Sequence, residues 1–82
     1  MLALKQFKRF DARDLIHQGI EPFSEIRHRV DALKPDEGLL IIAPFLPSPL
    51  IELLRSEGFR SKVERGSKGE WSVYFWREQE AG

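Results

Sequence analysis

The feature that most constrains the fold is a run of five apolar residues, Leu39–Ala43, between Gly38 and Pro44. Asp36-Glu37-Gly38 is typical of a turn before a strand, and Pro44 ends the run. A short strand that is apolar at every position is buried on both faces, so it belongs inside a sheet. The sequence therefore predicts a central strand at this point.

A helix is predicted on each side of this strand. Glu21-Pro22 opens the first, which extends to Lys34, because proline suits the first helical position and Pro35 disfavours helical geometry before it. The second begins at Ser48-Pro49, with the Ser48 hydroxyl as cap, and Gly58 closes it in the left-handed conformation. The first helix has an apolar stripe at spacings of 3, 4 and 3: Phe23, Ile26, Val30 and Leu33.

Three further strands complete the pattern, and the stretch Asp11–Gly19 is predicted to be a loop because it has no clear period. The strands are Phe7–Phe10, with Leu2 and Leu4 as an extension, Phe59–Arg65 and Glu70–Arg77. The last two form a hairpin, and right-handed crossovers place both helices on one face. The predicted fold is an α+β two-layer sandwich of order β-α-β-α-β-β, with a four-stranded mixed sheet.

Composition limits the classes of function. The chain has 82 residues, so we expect one domain over residues 1–78 and a flexible tail over residues 79–82. It has no cysteine, which excludes disulfides, thiolate nucleophiles and iron–sulfur clusters. Its 13 basic and 13 acidic residues argue against a globally cationic nucleic-acid binder. No apolar run approaches the roughly 20 residues of a membrane span, and a cytoplasmic location is expected.

Several stretches follow one another in an order found in known families. They are Phe10–Arg13 with Glu21-Pro22 downstream, Leu33–Leu40, and Ala43–Leu50 followed by Gly58-Phe59 and Gly69–Trp71. The first two resemble the TusA/SirA-like sulfur carriers. The third looks closer to the domain of unknown function 2249 family. The resemblance covers residues 7 to 78 and implies the same two-layer sandwich, a fold also seen in the C-terminal domain of translation initiation factor three.

The chain departs from the sulfur carriers at their reactive residue. Where they have Cys-Pro-x-Pro, this sequence has Gly19-Ile20-Glu21-Pro22, so the thiol position falls at Gly19. Persulfide chemistry needs a sulfur nucleophile on the protein, and no cysteine is present to replace it. The sequence therefore excludes sulfur transfer by the family's route.

The first candidate site is the edge of the sheet where both helices begin. Ligands of open α/β sheets favour the carboxyl ends of parallel strands, and helix starts suit anions. A small anion or an acidic peptide end is one ligand; alternatively, Arg13 and Asp14 merely hold the loop in place. The loop residues between Pro44 and Pro47 either cover the core or form a stiff apolar prong for a protein partner. The candidate residues are Arg13, Asp14, His17, Glu21, Phe45, Leu46 and Ser48.

The second candidate site is the sheet face without helices. There Tyr74 and Trp76 lie beside Arg60 and Lys62, and aromatic rings near cations can stack nucleic-acid bases. The same side chains could seal a homodimer or receive a protein partner. They could also simply cover a plain surface.

Catalysis and metal binding have weaker support. Two histidines and two glutamates suggest a metal site, but a solvated helix face explains them better. No nucleophile-and-base pattern is present, so we expect no catalytic residue, metal or cofactor. The leading hypothesis is a small binding or regulatory module that works through protein contacts, with a small anion as a second ligand. The alternative is nucleic-acid binding through the open sheet face. The metal candidates are His17, Glu21, Glu25 and His28.

Overall fold

The computed structural model describes residues 6–77, which form one sheet and three helices. The predicted extension at Leu2 and Leu4 and the predicted tail lie outside the described residues. Within residues 6–77 no helix is long and apolar enough to cross a membrane. The elements are β1 (Phe7–Asp11), α1 (Arg13–His17), α2 (Phe23–Asp31), β2 (Gly38–Ala43), α3 (Ser48–Ser56), β3 (Arg60–Arg65) and β4 (Trp71–Trp76).

The sheet has the strand order β1-β2-β4-β3. β1 runs parallel to β2, while β4 is antiparallel to both β2 and β3, so the sheet is mixed. β2 is an interior strand, and Leu39 and Ile41 within it are almost inaccessible to solvent. The predicted central position is confirmed, since β2 pairs with β1 on one side and with β4 on the other. On the helix-free face Ile42 is also buried, while Leu40 is half-buried.

The core lies between the helices and one face of the sheet. Phe10, Ile41 and Val73 are aligned across β1, β2 and β4, so they point to the same face. That face packs against Ile26 of α2 and Leu50 and Leu54 of α3. The two-layer α+β sandwich is therefore confirmed, and the opposite face carries no helix.

The stretch Asp11–Gly19 was wrongly predicted to be a loop. β1 continues through Asp11, and α1 follows at once over Arg13–His17. Leu15 and Ile16 pack against the core, and packing of this kind stabilises a helix too short to show a period. Gly19 then adopts a φ of 74°, a left-handed conformation that favours glycine.

The helix boundaries differ from the predicted ones at three points. Pro22 is the N-cap of α2 rather than its first residue, and the helix ends at Asp31, three residues before Lys34. Ser48 is the first residue of α3, and no side chain caps that helix, because Pro47 takes the capping position. The predicted end at Gly58 is confirmed, with a φ of 92°.

Candidate binding groove at the carboxyl edge of the parallel strands

An apolar groove of about 200 Å³ opens where β1 and β2 end. It lies between the N-terminal ends of α2 and α3, which begin on either side of it. Ala12 and Ala43 lie at its base, at the ends of neighbouring strands, and both are almost fully buried. Two alanines at adjacent strand ends leave space that larger side chains would fill, which accounts for the groove's depth.

Exposed apolar side chains border the groove on both sides. Phe45 is 52% exposed and Phe23 is 38% exposed, and both line it. Within residues 6–77, five large hydrophobic side chains are exposed, and four of them fall in the two segments 20–23 and 45–46. These four are Phe23 and Phe45, which line the groove, together with Ile20 and Leu46. The sequence predicts exposure of Phe45 or Leu46, and the structure exposes both.

Proline residues make the Phe45 side of the groove stiff. Pro44, Pro47 and Pro49 fix three backbone φ angles within six residues, and Pro47 is buried. The Ser48 N–H donates a hydrogen bond to the Leu46 carbonyl at 2.9 Å, which closes the loop on itself. A pre-ordered loop loses little entropy on binding, so Phe45 is presented at low cost.

Arg13 is held by Asp11 and does not line the groove. Its Nε and Nη2 donate to the two Asp11 carboxylate oxygens at 2.9 and 2.6 Å, and its backbone N–H donates to Asp11 Oδ1 at 3.0 Å. These contacts fix the turn between β1 and α1. For Arg13 they agree with the alternative interpretation, in which the residue holds this loop in place. The hydrogen bonds from Arg13 lower the pKa of Asp11 to about 2.

This pair predicts how stability changes with pH. Because the folded-state pKa of Asp11 lies below its ordinary value of 3.8, its contribution is complete above about pH 4 and is lost as the pH falls towards 2. Asp11→Asn should therefore lower the free energy of unfolding at pH 7 by up to about 1 kcal/mol, a typical value for a partly exposed ion pair. Urea unfolding at pH 7 and pH 2.5 measures this. An equal difference between variant and native protein at both pH values would contradict the assignment.

The helix starts at the groove offer few free donors. Pro22, Pro47 and Pro49 have no N–H group, and the Phe23 N–H donates to Oε1 of Glu21. Glu21 is itself exposed and lines the groove. These prolines and the Glu21 carboxylate therefore reduce the number of donors that an anion could use, and the edge presents an apolar surface beside a carboxylate.

The structure brings only part of the predicted edge site together. Glu21 and Phe45 line the groove, whereas Asp14, His17, Leu46 and Ser48 are exposed but do not line it. Sequence reasoning missed Phe23, which the apolar stripe assigned to the core. Its position directly after Pro22, at the very start of α2, is the signal that could have separated it from the buried residues Ile26 and Val30.

The helix-free face carries a packed aromatic cluster. Phe7 meets Tyr74 and Trp76 at ring-centroid distances of 5.2 and 6.2 Å, nearly perpendicular to both. Lys62 lies opposite Tyr74, and its Nζ is 3.6 Å from Oε2 of Glu64. Partial burial and the nearby Glu64 carboxylate raise the pKa of Tyr74. Arg60 lies opposite Trp76, as predicted. These rings pack on one another, and the charges around them have both signs.

The metal candidates do not come together. Across the described part of the chain, no group of three or more His, Cys, Asp or Glu side chains could hold a metal ion. Glu25 instead lies beside Arg29, with Oε2 of the carboxylate 3.7 Å from Nε of the guanidinium.

The fold and the groove define a class: a small α+β sandwich whose two parallel strands end at an apolar, proline-stiffened groove. Residues 9–77 match the model of a family described as "Uncharacterized conserved protein (DUF2249)". The match covers most of the chain, so the chain belongs to this family, and the resemblance to the domain of unknown function 2249 family is confirmed. A search of curated proteins found no match.

Proposed function

We propose that this domain is a binding module that takes an apolar side chain of a protein partner into the groove. The observation that carries the proposal is the position of two exposed phenylalanines, Phe23 and Phe45, on either side of a groove based on Ala12 and Ala43. Exposed apolar side chains gathered around a groove are a candidate interaction surface.

The size of the groove favours a side chain over a whole small molecule. Ligand sites for drug-sized molecules have volumes of roughly 300–1,000 Å³. The groove measures about 200 Å³, which suits one large anchor side chain from a partner. Anchors of this kind, seated in a pocket and surrounded by weaker contacts, supply most of the affinity of many interfaces.

The position of the groove in the fold leaves it open to a partner. Phe7 is aligned with Gly38 and Trp76 with Arg60, so Gln6 and Arg77 lie at the edge of the sheet opposite the groove. The described part of the chain therefore enters and leaves the domain on the side away from the groove.

The resemblance to the sulfur carriers favours a role in protein–protein contacts over a role in sulfur transfer. In that comparison the carrier thiol corresponds to Gly19, which is exposed and left-handed, and the chain contains no cysteine. On this proposal the domain, which lacks that reactive atom, acts through its surface. The cytoplasmic setting expected from the sequence belongs to this proposal.

Selection from a random 12-residue peptide library displayed on phage tests the proposal. The immobilised protein is the target, and the best peptide is then synthesised and titrated into ¹⁵N-labelled protein. We expect amide shifts concentrated at Ala12, Ile16, Phe23, Ala43 and Phe45. A peptide that instead shifts Lys62, Tyr74 and Trp76 would move the binding site to the open face.

The same labelled protein separates the alternative function from this one. A short single-stranded oligonucleotide is titrated at low and at physiological salt, since phosphate contacts make such binding salt-sensitive. We expect no shift on the open face, because Lys62 is beside Glu64 and the aromatic rings pack on each other. Salt-sensitive shifts at Arg60, Lys62, Tyr74 and Trp76 would favour nucleic-acid binding.

A further inference from the structure

We infer that the groove selects a partner segment in which a lysine or arginine lies next to the apolar anchor. This inference rests on the proposed function and adds the chemistry of the partner. It is carried by Glu21, the one charged residue among the described residues that line the groove.

Glu21 has a carboxylate oxygen available for a partner. Its Oε1 accepts the Phe23 N–H, which orients the carboxylate at the start of α2. No hydrogen bond or ion pair within residues 6–77 engages its Oε2. A cationic group that approaches the groove therefore meets an oriented acceptor without having to displace one of the protein's own cations.

The surrounding charge has the same sign. The segment 11–23, which forms one side of the groove, contains three carboxylates and one arginine. That arginine, Arg13, is engaged by Asp11, while Asp14 is exposed on α1. On the other side, the loop and helix start over residues 44–49 carry no charge. The formal side-chain charge of these bordering segments is therefore net negative, and a basic residue in the partner is complementary to it.

An exposed ion pair contributes little free energy, so Glu21 should affect the specificity of binding more than its affinity. An exposed ion pair contributes about 0.2–1 kcal/mol, which corresponds to a change in Kd of up to about fivefold. The apolar anchor supplies the larger part. Acidic segments with the same anchor are disfavoured, because their charge would lie close to the Glu21 carboxylate.

A double-mutant cycle on the selected peptide tests the inference. Peptides with the basic residue next to the anchor changed to glutamine or to glutamate are compared on the native protein and on Glu21→Gln. Glutamine keeps an oxygen that can accept the Phe23 N–H, so the start of α2 is preserved. Glu52→Gln, an exposed carboxylate on α3, is the control.

We expect the selected peptides to carry Lys or Arg within two positions of the anchor. Changing that residue to glutamine should raise Kd about two- to fivefold on the native protein and on Glu52→Gln, with no further effect on Glu21→Gln. Selected peptides without basic residues, or equal effects on all three proteins, would overturn the inference. In that case a large loss of peptide affinity in the Phe45→Ala variant would still support the groove as the binding site. An unchanged affinity in that variant would overturn the proposed function as well.

Discussion

Phe45→Ala is expected to raise the Kd of the selected peptide by at least about 30-fold, which corresponds to the roughly 2 kcal/mol of an interface hot spot. The ring is more than half exposed in the free protein and forms one wall of the groove, so its contacts are made mainly with the partner. For the same reason the free energy of unfolding should change by less than about 1 kcal/mol. Isothermal titration calorimetry and urea unfolding measure the two quantities.

Val63→Ala is the matched control for this prediction. Val63 is also an exposed large hydrophobic residue, but it lies on β3 away from the groove. We expect the Kd of the selected peptide for Val63→Ala to stay within about twofold of the native value, as for substitutions outside an interface. Equal losses in the two variants would show that binding responds to general surface hydrophobicity, and the role of Phe45 would be rejected.

Gly38→Ala is expected to lower the free energy of unfolding by about 1–3 kcal/mol, the usual cost of forcing extra atoms into a packed site. A Cβ at Gly38 would lie 2.7 Å from the Phe75 carbonyl oxygen and 2.7 Å from Cδ1 of Phe7. Glycine-to-alanine changes stabilise a strand where space allows, by about 0.4–1 kcal/mol. Here the change should be destabilising, because the new Cβ meets the Phe75 carbonyl of the neighbouring strand and that carbonyl cannot rotate away.

The Phe7→Ala background separates the two contacts at Gly38. Without the Phe7 ring, the cost of Gly38→Ala should fall but stay above zero, since the Phe75 carbonyl remains. Unfolding in urea, followed by the fluorescence of Trp71 and Trp76, gives the four free energies of the cycle. A Gly38→Ala variant as stable as the native protein would contradict the packing described here. It would also remove the reason why glycine, rather than a β-branched residue, begins the central strand.

Much of the fold could be predicted because its signals are local. The run Leu39–Ala43 identified the interior strand, and Tyr74 and Trp76 were placed on the helix-free face, where the structure has them. The short helix α1 could not be predicted, because five residues give no period and Leu15 and Ile16 are stabilised by contacts distant in sequence. Ser48 was misplaced because Pro47, rather than the serine, takes the capping position.

The site was less predictable than the fold. Glu21 and Phe45 could be placed at the correct edge, because the carboxyl ends of parallel strands meet there. The apolar character of the groove could not be predicted, because it depends on Ala12 and Ala43 lying at adjacent strand ends. The engagement of Arg13 by Asp11 was also hidden, since two residues of opposite charge at this spacing can point apart as easily as together. That contact directs the Arg13 guanidinium to Asp11 rather than into the groove.

Intermolecular nuclear Overhauser effects between the selected peptide and the protein test the central claim most directly. The anchor side chain should show contacts with the methyl groups of Ala12 and Ala43 and with the Phe45 ring, because these groups form the base and one wall of the groove. Contacts confined to Tyr74 and Trp76, with none to the two alanines, would contradict the account.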